Sequence, residues 1–529
     1  MDTDVLIVGA GPTGLMLANQ LVRRGINTLI IDRHAGPSIE TRALGVQART
    51  LEIYSQLGIV DRALGLGKRG TGGNIWADGQ HRARIALSDA GDNVTPYPFL
   101  LVLGQDDNER IMGERLREMG GAVQWNAELL SLTQQGDSVT AVLKQADGTQ
   151  REVVAAWVAG CDGARSVVRE SCGITFAGSP YEHVFFVADT EVTGKMVPDE
   201  VNVYLFRDGF HLLFPMRGKD HWRIAGILPL ALRNKPDLKF DAVIPSLQNE
   251  AGDQLSIKSC SWFSTYRIHH RAATRFRDRR CFLLGDAAHI HSPVGAQGMN
   301  TGLQDAYNLA WKLALVINKR AKPALLDSYE QERIPVAKAL LSGTDRAFRI
   351  VVSDSWVVGL LRTKVLSRIA AFAVNRKAMQ RIAFRTVSQT GIRYPKSSLS
   401  KSQEALPETA PQAGDRFPWL RLKLTSNGPV EDLFQSLSDT HFHLILVGHA
   451  PMAGGASSFG NLLHIHFIPA DSVNDKELAR AQIPQPSYYL IRPDGYIGLC
   501  GKVAQADEIA KYAQENLQLE LQLMAKAAQ

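Results

Sequence analysis

Val5-Leu6-Ile7-Val8-Gly9-Ala10-Gly11-Pro12-Thr13-Gly14 decides how this chain begins. Four consecutive apolar residues fit a strand buried on both faces. The glycines, spaced G-x-G-x-x-G, allow a tight turn and a close approach of backbone to a ligand. Leu17, Ala18, Leu21 and Val22 then repeat at helical spacing up to Gly25, a suitable residue just past a helix end. A second strand, 28–31, ends in Asp32. Such a strand–turn–helix–strand–acid unit places a pyrophosphate at the helix N-terminus and the acid on a ribose hydroxyl pair. The acid favours an adenosine ribose without a 2′-phosphate, and does not separate NAD from FAD. Spacing alone is weak: Gly65-Leu66-Gly67-Lys68-Arg69-Gly70 fits it too, but follows no apolar strand and opens no periodic helix. That second match reads as a loop coincidence.

Composition sets the outer limits. At 529 residues the chain exceeds the roughly 100–200 of one domain, so several domains are expected. Its 45% hydrophobic and 21% charged residues are ordinary globular usage, which excludes a disordered, collagenous or repeat protein. The net charge of +6 is local, because residues 345–401 hold twelve Lys or Arg against Asp345 and Asp354. It gives no argument for a nucleic-acid partner. Five cysteines without a C-x-x-C fit reduced, intracellular usage. Met1-Asp2-Thr3-Asp4 runs straight into the first strand with no signal peptide, and no apolar run reaches the length of a membrane span. A soluble, cytoplasmic protein is expected.

Two later segments decide which dinucleotide. After a hairpin marked by Asp147-Gly148, the strand 157–160 runs into Cys161-Asp162-Gly163-Ala164-Arg165-Ser166-Val167-Val168-Arg169. Cys281-Phe282-Leu283-Leu284 leads into Gly285-Asp286-Ala287-Ala288-His289, then Ser292-Pro293 and Gly295-Ala296-Gln297-Gly298-Met299-Asn300-Thr301-Gly302, from which 303–315 reads as a helix. A glycine-rich loop opening a helix offers unpaired N–H groups and partial positive charge. A flavin ring that becomes anionic on reduction would be stabilised there.

With these three segments in this order, the chain resembles the class A flavin-dependent aromatic hydroxylases of the para-hydroxybenzoate hydroxylase fold. Within them it is most similar to the phenol hydroxylase and pentachlorophenol monooxygenase branch; Leu325-Leu326-Asp327-Ser328-Tyr329, Glu332-Arg333 and Pro335-Val336-Ala337 match that branch. The resemblance implies an α/β fold: a three-layer Rossmann-like FAD-binding domain, an inserted β-sheet substrate domain and a thioredoxin-like C-terminal domain. The expected boundaries are 1–174 and 266–345 for the FAD domain, 175–265 for the substrate domain, 346–400 for a helical linker region and 401–529 for the last domain. The implied cofactor set is Gly9, Gly11, Pro12, Thr13, Gly14, Asp32, Arg33, Arg42, Gln105, Asp162, Arg169, Gly285, Asp286, Gly298, Met299 and Asn300. Arg42 and Gln105 would hold the pyrophosphate and ribityl chain, Asp286 the ribityl chain, and 298–300 the pyrimidine edge. Asp162 and Arg169 would serve the FAD side and the nicotinamide groove, and Pro293, Gly295 and Gly298 would border the oxygen site. The implied reaction is hydroxylation of a phenolic or polycyclic aromatic substrate through a flavin C4a-hydroperoxide, with NADPH or NADH and O₂ as co-substrates. A disulfide reductase, a flavin halogenase and a two-component hydroxylase fit less well. The rivals are a silent FAD- or aromatic-binding scaffold and a membrane-quinone hydroxylase served by the basic helices.

The substrate side reads from a β-rich stretch, 175–265. Strands 201–206 and 210–216 flank Arg207-Asp208-Gly209, a hairpin signal, and 221–228 gives a third strand. Alternation puts Phe210, Leu212, Phe214 and Met216 on one face and His211 and Leu213 on the other. In the family this sheet roofs the aromatic ring, so Phe214 and Met216 are candidate contacts, with Arg223 and His211 as candidate polar ones. Some phenol hydroxylases place an Asp just before the residues matching Gly45-Val46-Gln47; here the position is Leu44. The chain uses another base or takes an already acidic phenol.

Beyond 346–394, read as basic amphipathic helices that form a solvated face rather than a membrane contact, 395–415 is rich in Ser and Pro and reads as a linker. Strands are expected at 441–448, 462–469 and 487–500, with a turn at Pro493-Asp494-Gly495. Arg492-Pro493-Asp494-Gly495 matches the thioredoxin-like domain of the phenol hydroxylase branch, and Cys500 alone cannot run dithiol chemistry. The domain's expected role is packing or support of a homodimer. His441, His443, His464 and His466 could face one another across two strands, but half-buried strand histidines are the plainer reading and no metal is expected.

Overall fold

The computed structural model describes residues 1–38, 43–77, 79–206, 209–233, 235, 237–250, 255–290, 296–352, 376–403, 406–449 and 459–520. Thr3–Val8, Thr28–Ile31 and Val123–Gln124 on one side, and Gln150–Gly160 and Cys281–Leu283 on the other, form a parallel array with Thr3–Val8 at its centre. The central strand is buried along nearly its whole length, as its unbroken apolar run requires. Glu128–Gln135 and Ser138–Lys144 branch off as an antiparallel meander against Gln150–Gly160. Helix Pro12–Val22 packs against Gln105–Glu118 and against the 20-residue helix Gly298–Ile317, which begins at the glycine-rich loop. These elements share one continuous apolar core.

The second sheet has eight strands, in the order His289–Ile290, Leu255–Ala273, Phe176–Gly194, His221–Ile227, Gly209–Pro215, Val201–Phe206, Gly72–Ala77, Gln80–Ala86. It reaches beyond the expected 175–265: Gly72–Ala77 and Gln80–Ala86 come from the first part of the chain, and Leu255–Ala273 overruns the far end. The Gly65–Gly70 match is not a loop either. Helix Val60–Leu66 ends there and strand Lys68–Gly70 begins, so it lacks the strand–turn–helix order that binds phosphate.

The C-terminal sheet is Lys401–Ser402, Ile497–Gly501, Ser487–Ile491, Phe442–Val447 and Leu463–Ile468, mixed parallel and antiparallel. Alternation splits its side chains between two cores. Ile445, Val447, Tyr489 and Ile491 face one with Phe417 and Leu420. Phe442, Leu444, Leu446 and Leu490 face the other, which also contains Trp311, Leu315, Ala321 and Leu325. The C-terminal sheet therefore shares a core with the helix that starts at the glycine-rich loop. The stretch 395–415 is no linker: Leu399, Leu406, Ala410 and Ala413 are buried in these cores, and Lys401–Ser402 adds a strand. Ser and Pro serve tight turns here rather than disorder. Of the expected basic helices, the chain continues the helix Asp327–Val352 and forms Lys377–Val387; 353–375 lie outside the described residues.

Candidate active site

Three segments leave the parallel strands side by side, because Val8 pairs with Gly160 and Gly160 with Leu283. This is the carboxyl edge at which open α/β sheets bind ligands. Gly9 stands at φ 101°, where a Cβ would come within 2.4 Å of the Cys161 carbonyl oxygen, and a Cβ on Gly14 would lie 1.9 Å from that of Gly9. The chain itself requires those two glycines. At Gly11 nothing of the protein lies within 4 Å of the Cβ position. Open space therefore flanks the start of helix Pro12–Val22, whose first N–H groups lack helical acceptors, and a pyrophosphate fits that place. Thr13 sits beneath, its side chain against Gly285 and Gly302.

Asp32 accepts from the Ala10 N–H at 2.7 Å and the His34 N–H at 2.9 Å, which fixes its carboxylate at the lip of the turn; Arg33 beside it is exposed. Gln105 opens its helix and donates to Glu109 Oε1 at 2.8 Å, while Glu109 Oε2 accepts from the Ser38 N–H at 2.9 Å. Arg42, Pro293 and Gly295 lie outside the described residues. In the second segment Asp162 accepts from the Val168 N–H at 3.2 Å; its other oxygen is buried without a hydrogen-bond partner, and burial raises its carboxyl. Arg169 is an internal strut, donating to the Ala164 carbonyl at 2.9 Å and the Ala287 carbonyl at 3.0 Å and stacking over Phe176. It ties the second segment to the third. There, Asp286 is the one exposed residue in the buried run 281–289.

Sequence reasoning missed what holds the third segment. Asp305, fully buried on helix Gly298–Ile317, accepts from the Gly285 N–H at 3.0 Å, pairs with His289 Nε2 at 2.7 Å and with Arg333 Nε at 2.6 Å. Burial alone would raise its carboxyl, but Arg333 and His289 outweigh that and hold it below the usual carboxylate range. Asn300 is engaged at both ends of its amide: Nδ2 donates to the carbonyls of Gly45 and Ala296, and Oδ1 accepts from the Gln47 N–H and Thr50 Oγ1, all at 2.7–2.9 Å. What Gly298, Met299 and Asn300 can offer a ligand is thus their backbone N–H groups at the helix start. One signal was available: Thr301, Asp305, Asn308 and Lys312 recur at helical spacing on an otherwise apolar helix.

On the second sheet Phe186, Tyr204, Leu213, Trp222 and Ile224 form a core with Phe240, Val243 and Leu247 of the segment that covers that face. His211 points there too, its ring 4.6 Å from that of Phe206 and 5.7 Å from that of Phe186. The opposite face carries Phe185, Phe210 and Ile227 with Leu205, Leu212 and Tyr266. Leu212, Phe214 and Met216 are only half-buried on it. Arg223 lies on that face, held by Asp189 through two bonds of 2.5 Å and placed 5.1 Å over the Trp262 ring. Leu44, where a base was sought, is buried, and its carbonyl accepts from the Leu103 N–H.

The four C-terminal histidines do meet. His443 Nε2 donates to the Ser438 carbonyl, leaving Nδ1 to accept from His466 Nε2 at 2.9 Å, and the His441 and His464 rings lie 4.4 Å apart. Burial pushes His443 down to about 3 and lowers His466. No group of three or more His, Cys, Asp or Glu among the described residues is arranged to hold a metal ion.

The FAD binding domain family matches residues 2–344. The chain belongs to the FAD-dependent aromatic monooxygenases. It is similar to the 6-methylpretetramide 4-monooxygenase of Streptomyces rimosus, 33% identical over 94% of this chain and 90% of that one. It is also similar to the pentachlorophenol 4-monooxygenase of Sphingobium chlorophenolicum, 32% identical over 93% and 86%. In structure it resembles the OxyS anhydrotetracycline hydroxylase of Streptomyces rimosus, with TM-score 0.78, 28% identity and coverage of 98% and 99%. The cradle fits the cofactor this monooxygenase family uses: open space at Gly11, a fixed acid at Asp32 and an unsatisfied buried oxygen on Asp162. FAD is its cofactor, with O₂ and a nicotinamide reductant as co-substrates. No helix among the described residues is long and apolar enough to cross a membrane.

Proposed function

We propose that this monooxygenase hydroxylates a fused-ring phenol that lies against the half-exposed Leu212, Phe214 and Met216 face. That face is the observation on which the reading rests: an apolar surface of the eight-stranded sheet, left partly uncovered while its reverse is packed by a covering segment. Contact falls to Phe214 and Met216, with Arg223 at the margin; His211, on the packed reverse, supports the sheet. Gly9, Gly11, Pro12, Thr13 and Gly14 take the pyrophosphate, Asp32 with Arg33 the adenosine ribose, and Gln105, Arg42 and Asp286 the chain between adenosine and ring. The backbone of Gly298, Met299 and Asn300 takes the ring edge, and the loop bearing Pro293 and Gly295 borders the oxygen site. Bound FAD supplies hydride acceptance and oxygen activation.

Neither Asp189 nor Tyr266, the described titratable groups beside Arg223 on this face, supplies a general base for the phenol. Both oxygens of Asp189 are committed to Arg223. Burial pushes the Tyr266 phenol up to about 12, which leaves it protonated at neutral pH. An unactivated phenol, with a pKa near ~10, would find no acceptor in either of these two groups. The reading therefore takes a phenol already acidified by its own conjugated substituents, and gives the protein the task of excluding water around it. A cytoplasmic location and pairing of two copies belong to the same reading.

The test is NADPH and NADH oxidation by FAD-replete protein in air, against simple phenols and fused-ring phenols of graded acidity, with peroxide measured in parallel. Strong stimulation by an acidic fused-ring phenol, little peroxide and a product heavier by one oxygen are expected. Stimulation by unactivated phenol alone overturns the substrate reading.

A further inference from the structure

The turn Arg492-Pro493-Asp494-Gly495 belongs to the C-terminal sheet, yet its side chains end inside the flavin unit. Arg492 and Asp494 are buried almost completely. Arg492 donates to both oxygens of Glu332, at 2.6 and 3.1 Å, and to both oxygens of Asp494, at 3.0 and 2.5 Å. Lys312 donates to the same Glu332 at 2.8 Å. Asn308 bonds Glu332 at 2.7 Å and Asp494 at 3.3 Å, and Trp311 Nε1 reaches Asp494 at 3.2 Å. Two cations and two anions thus close a neutral quartet, with no exposed side chain in it. On its other flank the turn is tied to helix Ala48–Leu57, because Arg49 donates to the Asp494 carbonyl at 2.6 Å. Arg416, also C-terminal, pairs with Glu52 of the same helix.

The two helices gripped in this way are also joined directly to each other, by Arg49 lying 5.9 Å over the Tyr307 ring and by Asn300. Asn300, at the start of Gly298–Ile317, holds Gln47 and Thr50 at the start of Ala48–Leu57. From Asn300 to Asn308 is about 12 Å along a single helix. A change in the separation of the two helices at the turn is carried by a rigid element to the loop that presents its N–H groups to the flavin.

We propose that the Arg492–Gly495 turn is a positioning element of the flavin pocket, setting the spacing of these two helices and hence the geometry of the Asn300 loop. This gives the C-terminal unit a task that needs no dithiol. It also explains why a turn carries two ionised side chains into a buried core. Arg492 and Asp494 are positioning residues: they touch neither cofactor nor substrate.

The test uses full-length protein and FAD as the probe. Asp494→Asn keeps the side-chain shape and removes the charge. FAD affinity is expected to fall about tenfold, with a displaced visible band and a shifted reduction potential of the flavin that remains bound. Arg49→Lys, which keeps the cation and shortens its reach to the Asp494 carbonyl, is expected to give a smaller change in the same direction and carries the test if Asp494→Asn does not fold. Thr50→Val, which removes one bond to Asn300, provides the cycle: if the turn acts through Asn300, the double variant with Asp494→Asn (or with Arg49→Lys) weakens FAD by clearly less than the product of the single effects. Unchanged affinity, spectrum and potential in a folded but less stable Asp494→Asn or Arg49→Lys variant overturns the proposal and leaves the turn as structural support. Strict multiplicativity with Thr50→Val overturns the route through Asn300.

Discussion

Glu332→Gln probes the quartet as a question of stability. The substitution keeps volume and some hydrogen bonding but leaves Lys312 and Arg492 facing Asp494 alone, all with side chains essentially unexposed. Removing one partner of such a buried set costs about 3–5 kcal/mol. The pH dependence identifies the cause. In the native protein burial already draws the Lys312 ammonium down to about 8, with Glu332 opposing the shift. Set against about 10.4 in the unfolded chain, that is roughly 3 kcal/mol of destabilisation below pH 8. A lysine whose folded pKa is depressed binds fewer protons folded than unfolded, so its contribution to stability rises with pH across that window. Without Glu332 the attraction that opposes burial is lost, so the amine gives up its proton at lower pH than in the native protein and the window opens downward. The variant's deficit should therefore shrink by about 1–2 kcal/mol between pH 7 and pH 9, at no more than about 1.4 kcal/mol per unit. Urea unfolding at the two pH values, followed by tryptophan fluorescence, measures both numbers. A deficit under about 1 kcal/mol at pH 7, or one identical at pH 9, refutes the reasoning.

Three further outcomes are expected. Gly9→Ala drives a Cβ into the Cys161 carbonyl at a φ of 101°, so the protein purified from cells should carry no tightly bound yellow flavin; retained flavin absorbance counts against the packing argument. Asp305→Asn leaves Arg333 buried without its anion and loosens Gly285, which should cost about 3–5 kcal/mol in chemical unfolding and weaken FAD in a fluorescence titration; a stable variant with native affinity contradicts this. His443, held neutral by burial, is protonated in the unfolded chain below about pH 6.5. Its contribution to stability is present above that value and lost as pH falls toward 3, so His443→Phe should flatten the acid limb of the stability profile, and an unchanged limb excludes His443 as its source.

The parts of the site built from local sequence were legible. Val5–Gly14 ends one strand and opens one helix, so its strand–turn–helix order is local even though Gly9 and Thr13 pack against Cys161, Gly285 and Gly302. Segments 161–169 and 285–290 likewise each follow one strand, and their order along the chain becomes their order along the sheet edge, although Arg169 and Asn300 bond partners far away in sequence. Alternation in 210–216 assigned the two faces of the second sheet, including His211 to the reverse. What escaped notice depends on partners far apart in sequence. Gln80–Ala86, with Arg82 and Arg84 between small residues, has little strand propensity and is a strand because Gly72–Ala77 pairs with it. Residues 395–415 have the composition of a linker and are packed because two cores receive Leu399, Leu406 and Ala413. Asp305, Glu332 and Arg492 are charged residues in ordinary helices and turns, and only the tertiary fold removes them from water.

The core that Trp311, Leu315 and Leu325 share with Phe442, Leu444 and Leu490 bears on how this molecule can be rearranged by evolution or by engineering. A module exchanged between relatives carries its own interior with it. Here the boundary between flavin unit and C-terminal sheet runs through an interior rather than between two surfaces. Replacing the last 130 or so residues with those of a relative would set foreign side chains against the helix that begins at the flavin loop. Chimeras should succeed only when the inner face of that helix travels with the sheet, which makes the pair, and not the C-terminal sheet alone, the heritable unit.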